Sequence, residues 1–135
     1  MGEYKTYKEL DVWTKTRVLV KEIYILTKDF PKEELYGISS QMRRCAVSIP
    51  SNIAEGYGRQ YKKETLQFFH IARGSLYELE TQLYISADLN FLQKDKLNSI
   101  ILQLEECRKL LSGLINYFEN NSNLKQTPYT WHPAC

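Results

Sequence analysis

Six cationic side chains crowd into one stretch of this chain: Arg43, Arg44, Arg59, Lys62, Lys63 and Arg73. Only Glu55 and Glu64 oppose them between residues 43 and 73, a local charge of +4 on a chain whose net charge is +2. Guanidinium and ammonium groups near helix ends suit phosphate oxygens without selecting bases. Tyr57 and Tyr61 flank the cluster and offer rings on which exposed bases stack. The pattern reads as a candidate surface for RNA or DNA. A structural reading stays open beside it. Gln41, Arg44, Ser48, Asn52, Glu55 and Arg59 fall within an arc of about 80° on a helix, with Glu55 between the two arginines. The same groups can therefore form a network that ties this helix to its neighbours.

Other chemistries lack their parts. His70 and His132 are the two histidines, and His132 with Cys135 supplies two soft ligands where a zinc site wants four. No HExxH, CxxC or repeated ExxH motif occurs, so neither metal nor cofactor is expected. Gly56-Tyr57-Gly58-Arg59 has the look of a phosphate-cradling loop. It follows a helical pattern, however, and lacks the closing lysine–serine pair, so the glycines read as a helix stop. No Ser/His/Asp set can be assembled without arbitrary choices, and Glu78 and Glu80 diverge on a helix. With no catalytic residue to name, the expectation is a protein that is not an enzyme.

Cys45, Cys107 and Cys135 are an odd number at wide spacing. Reduced thiols in a cytoplasmic protein are the expectation, with Cys45 and Cys107 packed as small hydrophobes. The opening Met1-Gly2-Glu3-Tyr4-Lys5-Thr6 matches a loose myristoylation pattern that is too short to carry weight. No charged-then-greasy leader opens the sequence. Apolar runs stop at three or four residues, far short of a membrane span.

These residues need elements to hold them, and apolar spacing predicts four helices. The first runs from about Asp11, taken as its N-terminal cap, to about Asp29, with Val12, Leu19, Ile23, Leu26 and Phe30 on one face and Pro31 behind it. The second runs from about Ser39 to Tyr57. Its stripe of Ile38, Met42, Cys45, Ile49 and Ile53 keeps phase across Pro50, which predicts a kink rather than a stop. Ser51 and Asn52 stand ready to bond freed carbonyls there. The third runs from about Lys62 to Asp88 behind Leu66, Phe69, Ala72, Leu76, Leu79, Leu83 and Ala87. The fourth runs from about Lys94 to Glu119, where Leu97, Ile100, Leu104, Cys107, Leu111, Leu114 and Phe118 alternate steps of 3 and 4. Short connections make the helices antiparallel neighbours. The fold class is therefore all-α: an up-down-up-down antiparallel four-helix bundle with a proline-kinked second helix. The 135 residues make one domain over 1–123, followed by a polar and aromatic tail at 124–135.

The second helix is apolar on two sides, because Val47, Ser51 and Ala54 lie nearly opposite Ile49. Phe68 and Ile71 sit off the main stripe of the third helix in the same way. Extra greasy faces on a small domain predict self-association, with Val47, Ser51, Ala54, Phe68 and Ile71 as interface.

The run from Arg43 to Arg59, RRCAVSIPSNIAEGYGR, resembles the hallmark of the bacterial four-helix-bundle proteins named after intervening sequences in 23S ribosomal RNA genes. The segment Gly74 to Leu83, GSLYELETQL, resembles their second signature, and Tyr7 to Trp13, YKELDVW, their usual opening. The likeness covers about residues 5–119. It implies a four-helix bundle assembled as a ring-like homopentamer, with no catalytic activity attached. It also implies kinship with the accessory protein of diversity-generating retroelements, a basic pentamer that binds nucleic acid and a reverse transcriptase. The tail from Leu124 onward has no counterpart, and this chain is only weakly basic. Two functions follow as expectations. One is a non-enzymatic homo-oligomer that binds structured RNA or DNA through residues 43–73. The alternative is a protein-interaction scaffold without a nucleic-acid role.

Overall fold

A computed structural model describes residues 6–121. The tail at 124–135, with His132 and Cys135, lies outside the described residues, as does the myristoylation pattern apart from Thr6. Four helices carry the fold: α1 (Asp11–Thr27), α2 (Ile38–Tyr57), α3 (Lys62–Asp88) and α4 (Lys94–Asn120). Single 3-10 turns precede α1 at Tyr7–Glu9 and α2 at Lys32–Glu34. No strand occurs among the described residues. Each helix packs on two neighbours, α1 on α2 and α4, α3 on α2 and α4, and the backbones of diagonal helices do not approach. Met42 meets Ser86, Ser48 meets Ser75, and Gly56 faces Phe68, so the α2–α3 register descends on one helix as it climbs on the other. That is an antiparallel four-helix bundle, as the spacing predicts.

The expected stripes form the core. Leu19, Ile23, Met42, Ile49, Ile53, Phe69, Leu76, Leu79, Leu83, Leu104 and Leu111 are essentially inaccessible to solvent. All seven heptad positions of α4 are buried. Leu26, Ile38, Leu66 and Ala87 reach only the half-buried margin. Hydroxyls occupy core positions that a hydropathy reading skips. Thr16 donates to the Trp13 carbonyl (3.1 Å), Thr27 to that of Ile23 (2.7 Å) and Ser86 to that of Gln82 (2.8 Å). Each thereby satisfies its polar atom inside its own helix, which offsets the loss of its water in the interior.

Three local readings are corrected. Asp11 is not the cap of α1. Leu10 occupies that position in extended backbone, without a side-chain bond to the helix, and Asp11 is the first helical residue. There its carboxylate still faces the positive helix end. The helix also ends at Thr27, short of Asp29. Gly56 is not a helix stop. It is buried within α2, and a Cβ there would lie 2.8 Å from Phe68 Cβ and 3.0 Å from the Phe69 ring. Its lack of a side chain is what lets α3 come close. Gly58 takes the C-cap position instead.

α2 runs unbroken through the buried Pro50. Proline removes the backbone donor for the Ala46 carbonyl. The side chains around it bond elsewhere: Ser48 Oγ donates to Cys45 O (2.6 Å), Ser51 Oγ to Val47 O (2.8 Å) and Asn52 Nδ2 to Ser48 O (2.7 Å). The polar atoms therefore brace the carbonyls on either side of Ala46 rather than that carbonyl itself.

The α3–α4 elbow closes on Asn90, whose φ of 64° is the one positive value among the described non-glycine residues. Asn90 N–H donates to Ala87 O (3.0 Å) and Phe91 N–H to Ser86 O (2.9 Å), which satisfies the last carbonyls of α3. Phe91 then packs on Phe30, with ring centres 5.7 Å apart.

α1 and α4 pack less extensively than any other adjacent pair of helices. Their seam keeps two open grooves of about 200 and 220 Å³, one beside Ile25 and Lys96 and one beside Leu10 and Gly113. Between them a half-exposed ion pair, Lys15–Glu106 at 2.8 Å, spans the two helices.

Glycine-to-alanine changes separate packing from propensity. Gly74 and Gly113 have nothing within 4 Å of an added Cβ, so alanine at either should raise stability by about 0.4–1 kcal/mol. Gly56→Ala should instead lower it by about 1–3 kcal/mol through overpacking. Urea unfolding of the three variants checks the opposite signs.

Candidate nucleic-acid interface

The six cations do not form one patch. Arg43 lies in the second turn of α2 and Arg59 just past its C-cap, so the 14 residues from Arg43 to Tyr57 alone put roughly 21 Å of helix between them. Arg43 and Arg44 lie near the start of α2, against the end of α1. Arg59, Lys62 and Lys63 gather at the turn where α2 gives way to α3. Arg73 stands about three turns further along α3.

Several of these groups have intramolecular work. Arg43 Nε donates to Thr27 Oγ1 (2.9 Å), and its guanidinium lies 4.8 Å from the centre of the Tyr24 ring. Arg59 stacks 4.6 Å from the Phe68 ring centre and pairs with Glu55 at 3.6 Å. Lys62 Nζ reaches the Glu119 carbonyl at 3.4 Å. Arg73 Nη2 is 3.0 Å from His70 Nδ1, and His70 Nε2 is 3.9 Å from Glu119 Oε2. Arg44 is exposed and has no ion-pair partner among the described residues.

The expected network on the α2 flank is formed in part. Glu55 pairs with Arg59 and not with Arg44. Ser48 Oγ also bonds Ser75 Oγ across to α3 (2.8 Å), one of two polar stitches that meet at Ser75. The other is the Cys45 thiol, which donates to the Ser75 carbonyl at 3.1 Å. Tyr57, expected to stack on bases, packs edge-on against Phe118, with ring centres 6.3 Å apart. Tyr61 is half-buried at the N-cap of α3.

The second apolar face of α2 lies open. Val47 (41% exposed), Ser51 and Ala54 line a groove of about 370 Å³ against Trp13, Arg17 and Val20 of α1. Arg17 covers the Trp13 ring at 4.7 Å. Phe68 and Ile71 stand apart from this groove on α3. Phe68 is half-buried beneath Arg59, and Ile71 is exposed. The contribution of Trp13 and Arg17 was not legible from α2 alone. Its signal was an aromatic residue placed off the α1 stripe.

The thiols are shielded. Burial pushes Cys45 up to about 12, aided by Glu78, and Cys107 up to about 11, aided by Glu106. Neither is disulfide-bonded. Among the described residues, no group of three or more His, Cys, Asp or Glu is placed to hold a metal ion. No helix among them is long and apolar enough to cross a membrane.

An antiparallel bundle with scattered surface cations and an open apolar groove is the class of protein that this geometry defines. The chain belongs to the family of 23S rRNA-intervening sequence proteins, whose model matches residues 8–113. Among solved structures it is similar to a protein of unknown function from the S23 ribosomal protein family of Bacteroides thetaiotaomicron. The identity is 23% over 77% of this chain and 97% of that one, with a TM-score of 0.69, a likeness of fold. No curated protein matches the chain.

Buried thiols with raised pKa values should be inert, because the thiolate is the nucleophile. In a Cys135→Ser background, DTNB at about pH 9, near the ordinary thiol pKa, should label Cys45 and Cys107 slowly in the native state. Both should react at once in strong denaturant. Fast native labelling would contradict the burial described.

Proposed function

We propose that this chain is a non-enzymatic cytoplasmic bundle that self-associates, as a homopentamer, and binds structured RNA or DNA through its surface cations. The observation that carries the binding half is the group of Arg59, Lys62 and Lys63 within five residues at the α2–α3 turn. Arg59 is held there by its stacking on Phe68. Cations on a rigid turn address phosphates at little ordering cost. Self-association is supported by the groove around Val47, where apolar surface on a small domain stays wet in the single copy. The count of five rests on the resemblance of the α2 motif to pentameric relatives. The cytoplasmic setting rests on the free thiols.

A scaffold for a partner protein is the second reading. It is favoured by the outer face of α3, where Ile71, Tyr77, Tyr84 and Ile85 are each more than 40% exposed. A partner that stays bound after nuclease treatment would support it over the first reading.

Neutralising three phosphates should give a slope of about −2.7 in log affinity against log salt. The triple variant R59E/K62E/K63E should lose binding of a hairpin probe, monitored by anisotropy, with its helical circular dichroism intact. Unchanged binding would overturn the assignment to the turn. Separately, Val47→Glu, at an exposed position, should reduce the mass seen by light scattering to that of one copy. A wild-type protein that is already monomeric at high concentration would end the oligomer proposal.

A further inference from the structure

Where α1 hands over to α2, an open groove of about 570 Å³ runs beside the connecting turn. Its walls include Tyr24, Tyr36, Ser40, Arg43 and Arg44, and among the described residues that line it none is acidic. The nearest acid in sequence, Glu34, spends Oε1 on the Ile38 N–H at 3.3 Å. Tyr36 is 93% exposed, the most exposed large hydrophobic side chain among the described residues. A phenol ring so placed contributes almost nothing to the core. Arg43 is fixed by the Thr27 hydroxyl and the Tyr24 ring, so one wall is set before any ligand arrives. Beside it, Arg44 has no ion-pair partner among the described residues.

A ligand that satisfies these walls carries a flat ring for Tyr36 and a phosphate for the two arginines that line the same groove. Phosphate alone would leave the tyrosine without a role, and a ring alone would leave the arginines without one. We propose that this groove binds an unpaired nucleotide of single-stranded nucleic acid, the base stacked on Tyr36 and the backbone phosphate held by Arg44 beside Arg43. A duplex does not fit the same role, because its base faces are already stacked on each other. The proposal rests on the reading that the chain binds nucleic acid. It adds a second site near the opposite end of α2 from the Arg59 turn, with a different preference.

Anisotropy with a labelled oligothymidylate of about twelve nucleotides, an abasic oligomer of equal length and a blunt hairpin closed by a non-nucleotide linker in place of its loop tests it. Tyr36→Ala should weaken oligothymidylate binding by about tenfold or more, since a base–aromatic stack is worth that much. The same variant should leave the abasic and hairpin affinities unchanged, whereas Arg44→Ala should weaken both single-stranded probes. Equal affinity of Tyr36→Ala and wild type for oligothymidylate would overturn the groove assignment, as would an equal loss on the abasic strand. If wild type binds the hairpin but not oligothymidylate, the groove assignment alone falls. If it binds neither probe, the broader reading falls too.

Discussion

The approach of α3 to α2 at Gly56 is the contact on which the rest of this bundle depends. Only a hydrogen at that α-carbon lets Phe68 Cβ and the Phe69 ring sit where they do. From there the aromatic contacts run outward, Phe69 to Phe118 with ring centres 5.4 Å apart and Tyr57 to Phe118 from the other side. Three helices are thus joined at one end by rings that meet edge to face, an arrangement favoured by their quadrupoles. Further along the same interface the join is polar, through the Ser48–Ser75 and Cys45–Ser75 bonds. The turn between α2 and α3 inherits its rigidity from this packing. Its cations inherit their positions, Arg59 most directly, because its guanidinium lies on Phe68.

A recurrent device spreads charge over the surface. Arg17 lies on Trp13, Arg43 on Tyr24 and Arg59 on Phe68, each 4.6–4.8 Å from the ring centre. Such pairing covers an aromatic face that would otherwise be wet and fixes the guanidinium plane. It explains why a weakly basic chain can still present ordered cations. It also explains why a tally of local charge misleads. Arg43 and Arg59, counted in one basic stretch, lie on rings at opposite ends of α2.

Periodicity made the architecture readable because each α4 step of 3 or 4 returns the side chain to one face, and all seven positions are buried. Continuity past Pro50 was readable for the same reason, since Ile53 keeps the phase of Ile49. What failed were positions where one residue type serves two physical ends. Gly56 has the composition of a helix stop and the role of a close-packing point. Thr16 and Thr27 look polar in sequence yet are buried, since their hydroxyls fold back on their own helix. The candidate site was legible as residue types but not as a place. Helical rise separates Arg43 from Arg59, and the Tyr36 groove depends on a turn that has no apolar period to read. Phe118 claims Tyr57 through a contact 61 residues away in sequence, which no local pattern encodes.

The seam between α1 and α4 sets a limit of another kind. Two grooves flank it, and the Lys15–Glu106 pair that spans it is half exposed on both sides. Solvent screening leaves such a bridge with little holding power. α1 is therefore anchored chiefly through α2, and the bundle is closed more firmly on three sides than on the fourth. Of the four seams between adjacent helices, this one opposes partial opening with the least packing.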